Sequence, residues 1–390
     1  MTKRNHKKLI NIFVLSLLLL TLFSINVDSF DLDVKSAILV EAETGQILYE
    51  KNPDEKLPPA SITKIMPMLL TMEKIETGEI SLDDTFIISN HASSMGGSQI
   101  YLNENTEITI EELLKAVTVA SANDATVALS EAVGGFYSSF IDLMNQRADE
   151  LGMANTNFIN STGLPAEDHY TTARDIVKMS QEIVQYDKIL DWGQIWVDYI
   201  ELPNREAMLV NTNRLINMYP GVDGLKTGHT SEAGYCLTAT AERNDIRLIS
   251  VVLGAESDEE RIELTRNLLN YGFGNFAPQI ILGEGEFIHN IEVMDASDQF
   301  ISGRAAADLQ VMVKRGAGDL LESEFIAREN LSAPINQDDV IGRQVVKEED
   351  EIINSVDILA AEDVERANIF VRLWRSFVNW IGSILSNIFA

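Results

Sequence analysis

Cysteine, histidine and basic residues are all scarce in this sequence, and each shortage excludes a class of protein. The single cysteine, Cys236, rules out an internal disulfide framework, and its apolar setting predicts a buried position in a strand. The 5 histidines show no ligand spacing and no glycine loop suited to phosphate is found, so we expect no metal and no cofactor. With 30 basic and 60 acidic residues, the net charge of −30 argues against a nucleic-acid partner.

Long apolar runs are also few, and the first of them lies at the N-terminus. Four basic residues within the first eight precede an apolar run over 9–23, and small and polar residues follow up to Ser29. This layout predicts an export signal over residues 1–29, cut before Phe30. A retained anchor helix is the alternative, because no Ala-x-Ala site is present. In both cases the rest of the chain is exported.

The chain is long enough, at 390 residues with 45% hydrophobic content, to bury a large core and to form more than one domain. Strands at both ends of the first large region, with helices between them, predict an α/β (α+β) fold whose terminal strands share one antiparallel sheet. The predicted elements are a hairpin over 36–51, a helix over 58–78, a helix from Thr109 to Ser121, a helix over 137–151, a helix capped by Thr172 and Asp175, a hairpin over 236–253 and a helix from Ser257 to before Gly272.

A candidate nucleophile lies in the segment Pro58-Pro59-Ala60-Ser61-Ile62-Thr63-Lys64, where two prolines suit the entry to a helix. Ser61 and Lys64 are three positions apart, so their side chains share one helix face and the amine can take the hydroxyl proton. Ser-x-x-Lys on its own occurs by chance roughly once or twice in a chain of this length. It therefore needs partners elsewhere in the sequence.

Two further segments supply such partners. Ser121-Ala122-Asn123 lies between two apolar stretches, which predicts a short break between two helices. Lys226-Thr227-Gly228 follows the turn-rich segment 220–224 and precedes strand-like sequence. The three motifs occur in the order typical of serine enzymes that react with penicillin, and this ordered co-occurrence is far rarer by chance than any one motif.

Together, Ser61-Ile62-Thr63-Lys64, Ser121-Ala122-Asn123 and Lys226-Thr227-Gly228-His229 resemble the active-site motifs of the D-alanyl-D-alanine carboxypeptidases, which are low-molecular-weight penicillin-binding proteins. The flanking segments 91–99 and 169–175 resemble the same family, and the resemblance is greatest to its sporulation-associated branch. Ala122 departs from the pattern, in which glycine is the commoner middle residue. The resemblance implies a β-lactamase-like catalytic domain over residues 30–275.

This resemblance implies an acyl transfer from a peptidoglycan stem peptide that ends in D-Ala-D-Ala, and acylation by β-lactam antibiotics. Ser61 would attack the penultimate carbonyl, with Lys64 as general base, kept partly neutral by burial and by the charge of Lys226. Ser121 would pass a proton to the leaving amine, and Asn123 would orient Lys64 and the substrate amide. Helix capping is the alternative role for Ser121 and Asn123.

The lysine motif has an implied role in binding the substrate. Lys226 and Thr227 would hold the terminal carboxylate, the first as a charge and the second as a hydroxyl donor. The resemblance implies an oxyanion hole made of the amides of Ser61 and His229. Gly228 would let the substrate strand approach closely.

Two other functions stay open. A serine β-lactamase shares the motifs, but its class A form also needs a glutamate to activate the deacylating water, and Glu167 is the only candidate. A catalytically silent penicillin-binding wall protein fits less well, because Ser61 and Lys64 are intact. We expect structural roles for Glu167 and for the nearby His169.

The remainder of the chain predicts two further units. Residues 278–362 alternate short apolar runs with turns, which predicts a small β-rich domain that serves as a spacer or partner-contact module. Residues 365–390 divide cleanly into an apolar and a polar helix face, with 2 of the 4 tryptophans. This pattern predicts an amphipathic helix on the membrane surface, at the outer face of the cytoplasmic membrane or the cell wall. Docking on the protein's own body or on a dimer partner is the alternative.

Overall fold

The structure of the chain is a computed structural model. It describes residues 30–374 apart from Asn204, 317–320 and 349–350. The predicted export signal over 1–29 and most of the predicted C-terminal helix, from residue 375 onward, therefore lie outside the described residues.

The described helices and strands alternate in blocks along the chain. The helices are α1 (Ile65–Glu76), α2 (Asn90–Ser93), α3 (Ile110–Ala120), α4 (Asn123–Gly134), α5 (Tyr137–Glu150), α6 (Ala173–Ile183), α7 (Asp187–Gly193) and α8 (Asp258–Asn275). The strands are β1 (Ser36–Glu41), β2 (Ile47–Lys51), β3 (Thr85–Ile87), β4 (Glu107–Thr109), β5 (Val197–Leu202), β6 (Arg205–Val210), β7 (Val222–Thr230), β8 (Gly234–Arg243), β9 (Ile246–Ala255), β10 (Phe276–Leu282), β11 (Phe287–Glu292), β12 (Phe300–Ala305), β13 (Leu309–Lys314), β14 (Glu322–Ala327), β15 (Val340–Glu348) and β16 (Glu351–Ala360).

One antiparallel sheet organises the first region. Its strand order is β2-β1-β9-β8-β7, so the first hairpin of the chain pairs with strands that follow some 200 residues later. The prediction that terminal strands share one sheet is confirmed. β7, which carries the lysine motif, is an edge strand of this sheet, and an edge strand leaves backbone groups open to a further extended chain.

Local sequence signals explain where several elements begin and end. Thr109 and Glu112 form a reciprocal capping box at the start of α3. Asn244 and Asp245 both have positive φ, of 52° and 61°, in the tight turn between β8 and β9. Asparagine and aspartate tolerate this left-handed conformation better than most residues, which is why the predicted hairpin closes here.

One predicted helix boundary is wrong. The helix after Ser257 was expected to end before Gly272, but α8 continues to Asn275. A Cβ at Gly272 would lie 2.7 Å from Leu39 Cδ2 and 2.6 Å from Leu248 Cδ1, and both leucines are fully buried. Glycine therefore serves here to pack α8 closely against the sheet, and it does not terminate the helix.

The C-terminal region is built from strands, as the sequence predicts. β11, β12, β14, β15 and β16 form a five-stranded antiparallel sheet, and β10 pairs with β13. A buried core of aliphatic side chains lies within this β domain. Gln46, beside the first hairpin turn, donates from Nε2 to Met312 O at 2.8 Å and accepts from Met312 N at 2.7 Å, which ties the hairpin to β13.

The start of the predicted C-terminal helix is visible. Residues 369–374 are helical, and Phe370, Leu373 and Trp374 are 80%, 63% and 66% exposed. Arg372 forms an ion pair with Asp295 of the β domain at 2.7 Å. Among the described residues, none of the helices combines the length and the apolar composition needed to cross a membrane.

Candidate active site

The first motif lies at the entrance to α1. Residues Ala60–Lys64 form a 3₁₀ turn rather than the first α-helical turn that was expected, and α1 continues directly from it. Lys64 Nζ donates to Ser61 Oγ at 2.8 Å and to Thr162 O at 2.7 Å. Lys64 is fully buried whereas Ser61 is partly exposed. A hydroxyl open to a substrate is thus in direct contact with an amine shielded from water.

The electrostatics around Lys64 favour its neutral form. Burial lowers the pKa of Lys64 well below its ordinary value, and the positive charge of Lys226 lowers it further. Lys226 is itself almost fully buried, and burial together with the charge of Arg261 lowers its pKa to about 7. A neutral amine in contact with a serine hydroxyl is the arrangement that activates a serine nucleophile.

The second motif forms the break between α3 and α4 that the sequence predicts. Ser121 has φ 58° and ψ 32°, and this left-handed conformation turns the chain from one helix into the next. Asn123 Nδ2 donates to Gly96 O at 2.6 Å, and Asn123 N donates to Ser98 O, also at 2.6 Å. Asn123 and Lys64 thus hydrogen-bond to different partners. The two hydrogen bonds of Asn123 hold the loop 96–98 against the start of α4.

The third motif lies within β7, whereas the sequence predicted that it follows a turn-rich segment and precedes a strand. A Cβ at Gly228 would lie 3.0 Å from Pro59 O and 3.1 Å from Ser61 N, so glycine permits β7 to pass directly against the first motif. The side chain of His229 is exposed, and its ring lies 4.1 Å from the ring of Tyr235, centroid to centroid.

Hydrogen bonds outside the motifs join the second segment to the third. Thr227 Oγ1 donates to Thr212 Oγ1 at 2.7 Å. Thr212 N in turn donates to Val119 O at 3.2 Å, in the last turn of α3 just before Ser121. These bonds link the third motif to the end of α3, next to the second motif, and the contact between Gly228 and Ser61 places the third motif beside the first.

The turn that supplies the second acceptor for Lys64 was not predicted from the sequence. Asn160 Oδ1 accepts from Thr162 N at 3.1 Å and from Gly163 N at 2.7 Å, which fixes the turn that presents the Thr162 carbonyl. Gly163 has φ 78°, and a Cβ there would lie 1.7 Å from Ala60 O. The turn-rich sequence Asn160-Ser161-Thr162-Gly163 was the available signal.

Another missed residue is Arg261 of α8, which lies behind β7. Its Nη1 donates to Gly228 O and to Cys236 O, both at 3.2 Å, and the guanidinium pairs with Asp258. Cys236 is fully buried in β8, as its setting predicts, and burial raises the pKa of its thiol to about 11. This thiol is therefore not a second nucleophile.

Both nitrogens of His169 are engaged in structural hydrogen bonds. Its Nδ1 accepts from Ile159 N at 3.0 Å, so the ring proton lies on Nε2, which donates to Thr63 Oγ1 at 2.9 Å. Burial lowers the pKa of His169 to about 4. The side chain of Glu167 is exposed. His169 thus ties the loop 159–170 to the first motif as a neutral residue.

The buried neutral His169 predicts acid sensitivity. In the unfolded chain a histidine takes a proton near pH 6.5, whereas in the folded chain the pKa is about 4. The unfolded state therefore binds the proton first as the pH falls, and His169 should remove about 3 kcal/mol from the free energy of unfolding between those pH values. Denaturant unfolding of wild type and His169→Gln across this range measures the effect. The exposed control His289→Gln should keep the wild-type slope, and an unchanged slope in His169→Gln would contradict the prediction.

Comparisons with known proteins identify two regions of the chain. A family model described as D-alanyl-D-alanine carboxypeptidase matches residues 24–257. A second model, described as the C-terminal domain of penicillin-binding protein 5, matches residues 276–366. The two matches correspond in order to the region of the central sheet and the β domain.

Individual relatives agree with both matches. The chain is 39% identical to the D-alanyl-D-alanine carboxypeptidase DacF of Bacillus subtilis over 89% of this chain and 90% of that protein. The crystal structure of penicillin-binding protein 5 from Haemophilus influenzae aligns with a TM-score of 0.76 at 29% identity, over 87% of this chain and 100% of that one. Penicillin-binding protein D2 of Listeria monocytogenes, solved with ampicillin bound, aligns with a TM-score of 0.57 at 31% identity, over 63% of this chain and 99% of that one. The predicted fold is confirmed, and the chain belongs to the family of D-alanyl-D-alanine carboxypeptidases, serine-type hydrolases.

Proposed function

We propose that Ser61 is the nucleophile of this carboxypeptidase and that Lys64 is its general base. The observation that carries the proposal is the 2.8 Å contact between Lys64 Nζ and Ser61 Oγ, with the pKa of Lys64 lowered well below its ordinary value. Ser61 attacks the carbonyl of the penultimate D-alanine in a peptidoglycan stem peptide while Lys64 takes the hydroxyl proton. The bond to the terminal D-alanine breaks, and water hydrolyses the acyl-enzyme on Ser61.

Proton delivery and charge stabilisation fall to the neighbouring groups. Ser121 relays a proton to the amine of the departing D-alanine, and Asn123 orients the substrate amide from the loop side of the cleft. The amides of Ser61 and His229 stabilise the oxyanion that forms at the attacked carbonyl. Gly228 brings these two amides close together because it lets β7 approach within contact distance of Ser61.

The terminal carboxylate of the substrate binds at the start of the third motif. Lys226 contributes positive charge near neutral pH, since its pKa is about 7. Thr227 contributes a hydroxyl donor. A carboxylate bound here leaves the scissile carbonyl beside Ser61, because Gly228 packs against that residue.

We also propose that β-lactams acylate Ser61. The Listeria monocytogenes relative, solved with ampicillin bound, supports this. A β-lactamase of class A type would use a glutamate to activate deacylating water, and the exposed side chain of Glu167 does not fit that role. The intact pair of Ser61 and Lys64, in hydrogen-bond contact, argues against a catalytically silent wall protein.

Replacing Ser61 by Ala should abolish both reactions. We expect release of D-alanine from a peptide ending in D-Ala-D-Ala to fall at least about 1,000-fold, with loss of covalent penicillin labelling, because no other group replaces the nucleophile. The exposed control Ser94→Ala should retain both. Penicillin labelling of Ser61→Ala would contradict the proposal that Ser61 is the nucleophile. Rapid penicillin turnover by wild type without D-alanine release would favour the lactamase. Slow acylation by penicillin, with neither penicillin turnover nor D-alanine release, would favour the silent binder.

The charge of Lys226 should set the pH dependence of acylation. Lys226→Met removes a positive neighbour, so the pKa of Lys64 should rise and the acid limb of the penicillin acylation rate should move to higher pH. The control Lys188→Met removes an exposed lysine and should leave the limb in place. A limb that stays fixed in Lys226→Met would show that the two amines are not coupled.

We propose the following organisation for the whole chain. Residues 1–29 direct export, 30–275 form the catalytic domain, 278–362 form the β domain, and 365–390 hold the protein at the outer membrane face. The exposed Phe370, Leu373 and Trp374 support the last assignment, since apolar side chains of this size favour the membrane interface. Use in sporulation stays a prediction from the sequence.

Deletion of residues 365–390 tests the membrane assignment. We expect the truncated protein to leave the membrane fraction after signal cleavage, while D-alanine release by the soluble fraction continues. Cell fractionation with immunodetection of both forms measures this. An unchanged membrane fraction would contradict the assignment.

A further inference from the structure

The segment 211–213, between β6 and the 3₁₀ turn Arg214–Asn217, is held by buried amides. Asn211 Nδ2 donates to Gly193 O at 2.9 Å and to Ile195 O at 2.8 Å. Asn211 Oδ1 accepts from Asn213 N at 2.8 Å. Asn211 is 5% exposed and both its amide groups are satisfied, so it fixes the backbone on one side of Thr212.

The other side of Thr212 is fixed in the same way. Asn213 Nδ2 donates to Gly224 O of β7 at 3.1 Å, and Asn213 Oδ1 accepts from Leu215 N, also at 3.1 Å. Thr212 N donates to Val119 O of α3 at 3.2 Å. The segment thus joins α3 to β7, and the one side chain it directs to the third motif is the hydroxyl of Thr212, 2.7 Å from Thr227 Oγ1.

The hydroxyls of Thr227 and Thr212 form a direct hydrogen bond. Thr227 Oγ1 donates to Thr212 Oγ1 in the structure. An ionised carboxylate only accepts hydrogen bonds, so Thr227 must turn its single proton to the carboxylate when a substrate binds. The Thr227 oxygen then loses its hydrogen bond to Thr212 unless the Thr212 hydroxyl becomes the donor. A hydroxyl can reverse in this way because it both donates and accepts.

Lys226 and Arg261, the two cations near this hydroxyl pair, both donate to backbone carbonyls. Lys226 is almost fully buried and its Nζ donates to Thr227 O at 3.0 Å. The guanidinium of Arg261 is directed to the carbonyls of Gly228 and Cys236. Both cations are thus partly engaged with backbone carbonyls, and Thr227 adds a hydroxyl donor beside them.

We propose that Thr212 is a positioning residue for recognition of the terminal carboxylate. When the carboxylate binds, Thr227 donates to it and Thr212 donates to Thr227, which gives a chain of two hydroxyls that ends on the substrate. Donation from Thr212 polarises the Thr227 hydroxyl and strengthens its bond to the carboxylate. This inference rests on the proposed function, in which Thr227 binds the terminal carboxylate.

The terminal carboxylate is present both before and during the reaction of Ser61. An interaction of equal strength in the ground state and the transition state changes KM more than kcat. A role of Thr212 in carboxylate recognition should also depend on the charge of the substrate terminus. A purely structural role would affect substrates with charged and uncharged termini alike.

Thr212→Val keeps the β-branched shape and removes the hydroxyl. We expect kcat/KM for a peptide ending in free D-Ala-D-Ala to fall roughly 10-fold, mostly through KM, because a hydrogen bond to a charged group is weakened. The same peptide ending in a C-terminal amide should react as it does with wild type. Thr212→Ser should restore the preference for the free acid.

The chain offers a matched control for removal of a threonine hydroxyl. Thr171 Oγ1 and Thr156 Oγ1 form another hydroxyl pair at 2.7 Å, and Thr171 is fully buried. Thr171→Val should leave the ratio of kcat/KM for acid and amide at the wild-type value. Far-ultraviolet circular dichroism and the denaturation midpoint of each variant show whether it folds.

The outcomes separate the inference from the proposed function. Equal losses for the acid and amide substrates in Thr212→Val, no loss, or failure of Thr212→Ser to restore the preference would each overturn the role of Thr212. If wild type releases no D-alanine, the proposed function fails. The ratio of Ser61 acylation rates by benzylpenicillin and its methyl ester in wild type and Thr212→Val then decides the role of Thr212, since these two compounds also differ in one carboxylate.

Discussion

The burial of two lysine amines side by side is the constraint on which the rest of this cleft depends. Lys64 is fully buried and Lys226 almost fully, and each loses part of its basicity to burial. Two buried positive charges are costly, so at least one amine is neutral at moderate pH. Burial and the charge of Lys226 both lower the pKa of Lys64, which favours a neutral amine in contact with Ser61.

Close backbone approaches make this burial possible. Gly228 lets β7 lie against Ser61, and Gly163 lets the 160–164 turn lie against Ala60. The turn brings the Thr162 carbonyl to Lys64 Nζ and so provides a partner for an amine that water cannot reach. A side chain at either glycine would separate these segments and admit water, which would raise the pKa of Lys64 toward that of an ordinary lysine.

The charge of the molecule is distributed unevenly between its exterior and this cleft. The chain carries a net charge of −30, yet the residues beside the third motif include the buried cations Lys226 and Arg261. The Nη1 of Arg261 donates to two carbonyls behind β7, and Thr227 adds a hydroxyl to this strand. An anionic group at the third motif would therefore meet a local positive potential within an acidic protein.

The sequence alone indicated Ser61 as the candidate nucleophile, and it determined the order of the three motifs, the caps of the main helices and the hairpins, because these depend on spacing and on neighbouring residues. It gave the wrong end for α8, since a glycine inside a helix and one after it look alike until the packing partner is known. Thr162, Arg261 and Thr212 were not identifiable either, because their roles come from contacts with residues far away in the chain. Only the tertiary structure could decide these, since burial, pKa and hydrogen-bond partners arise when distant segments pack together.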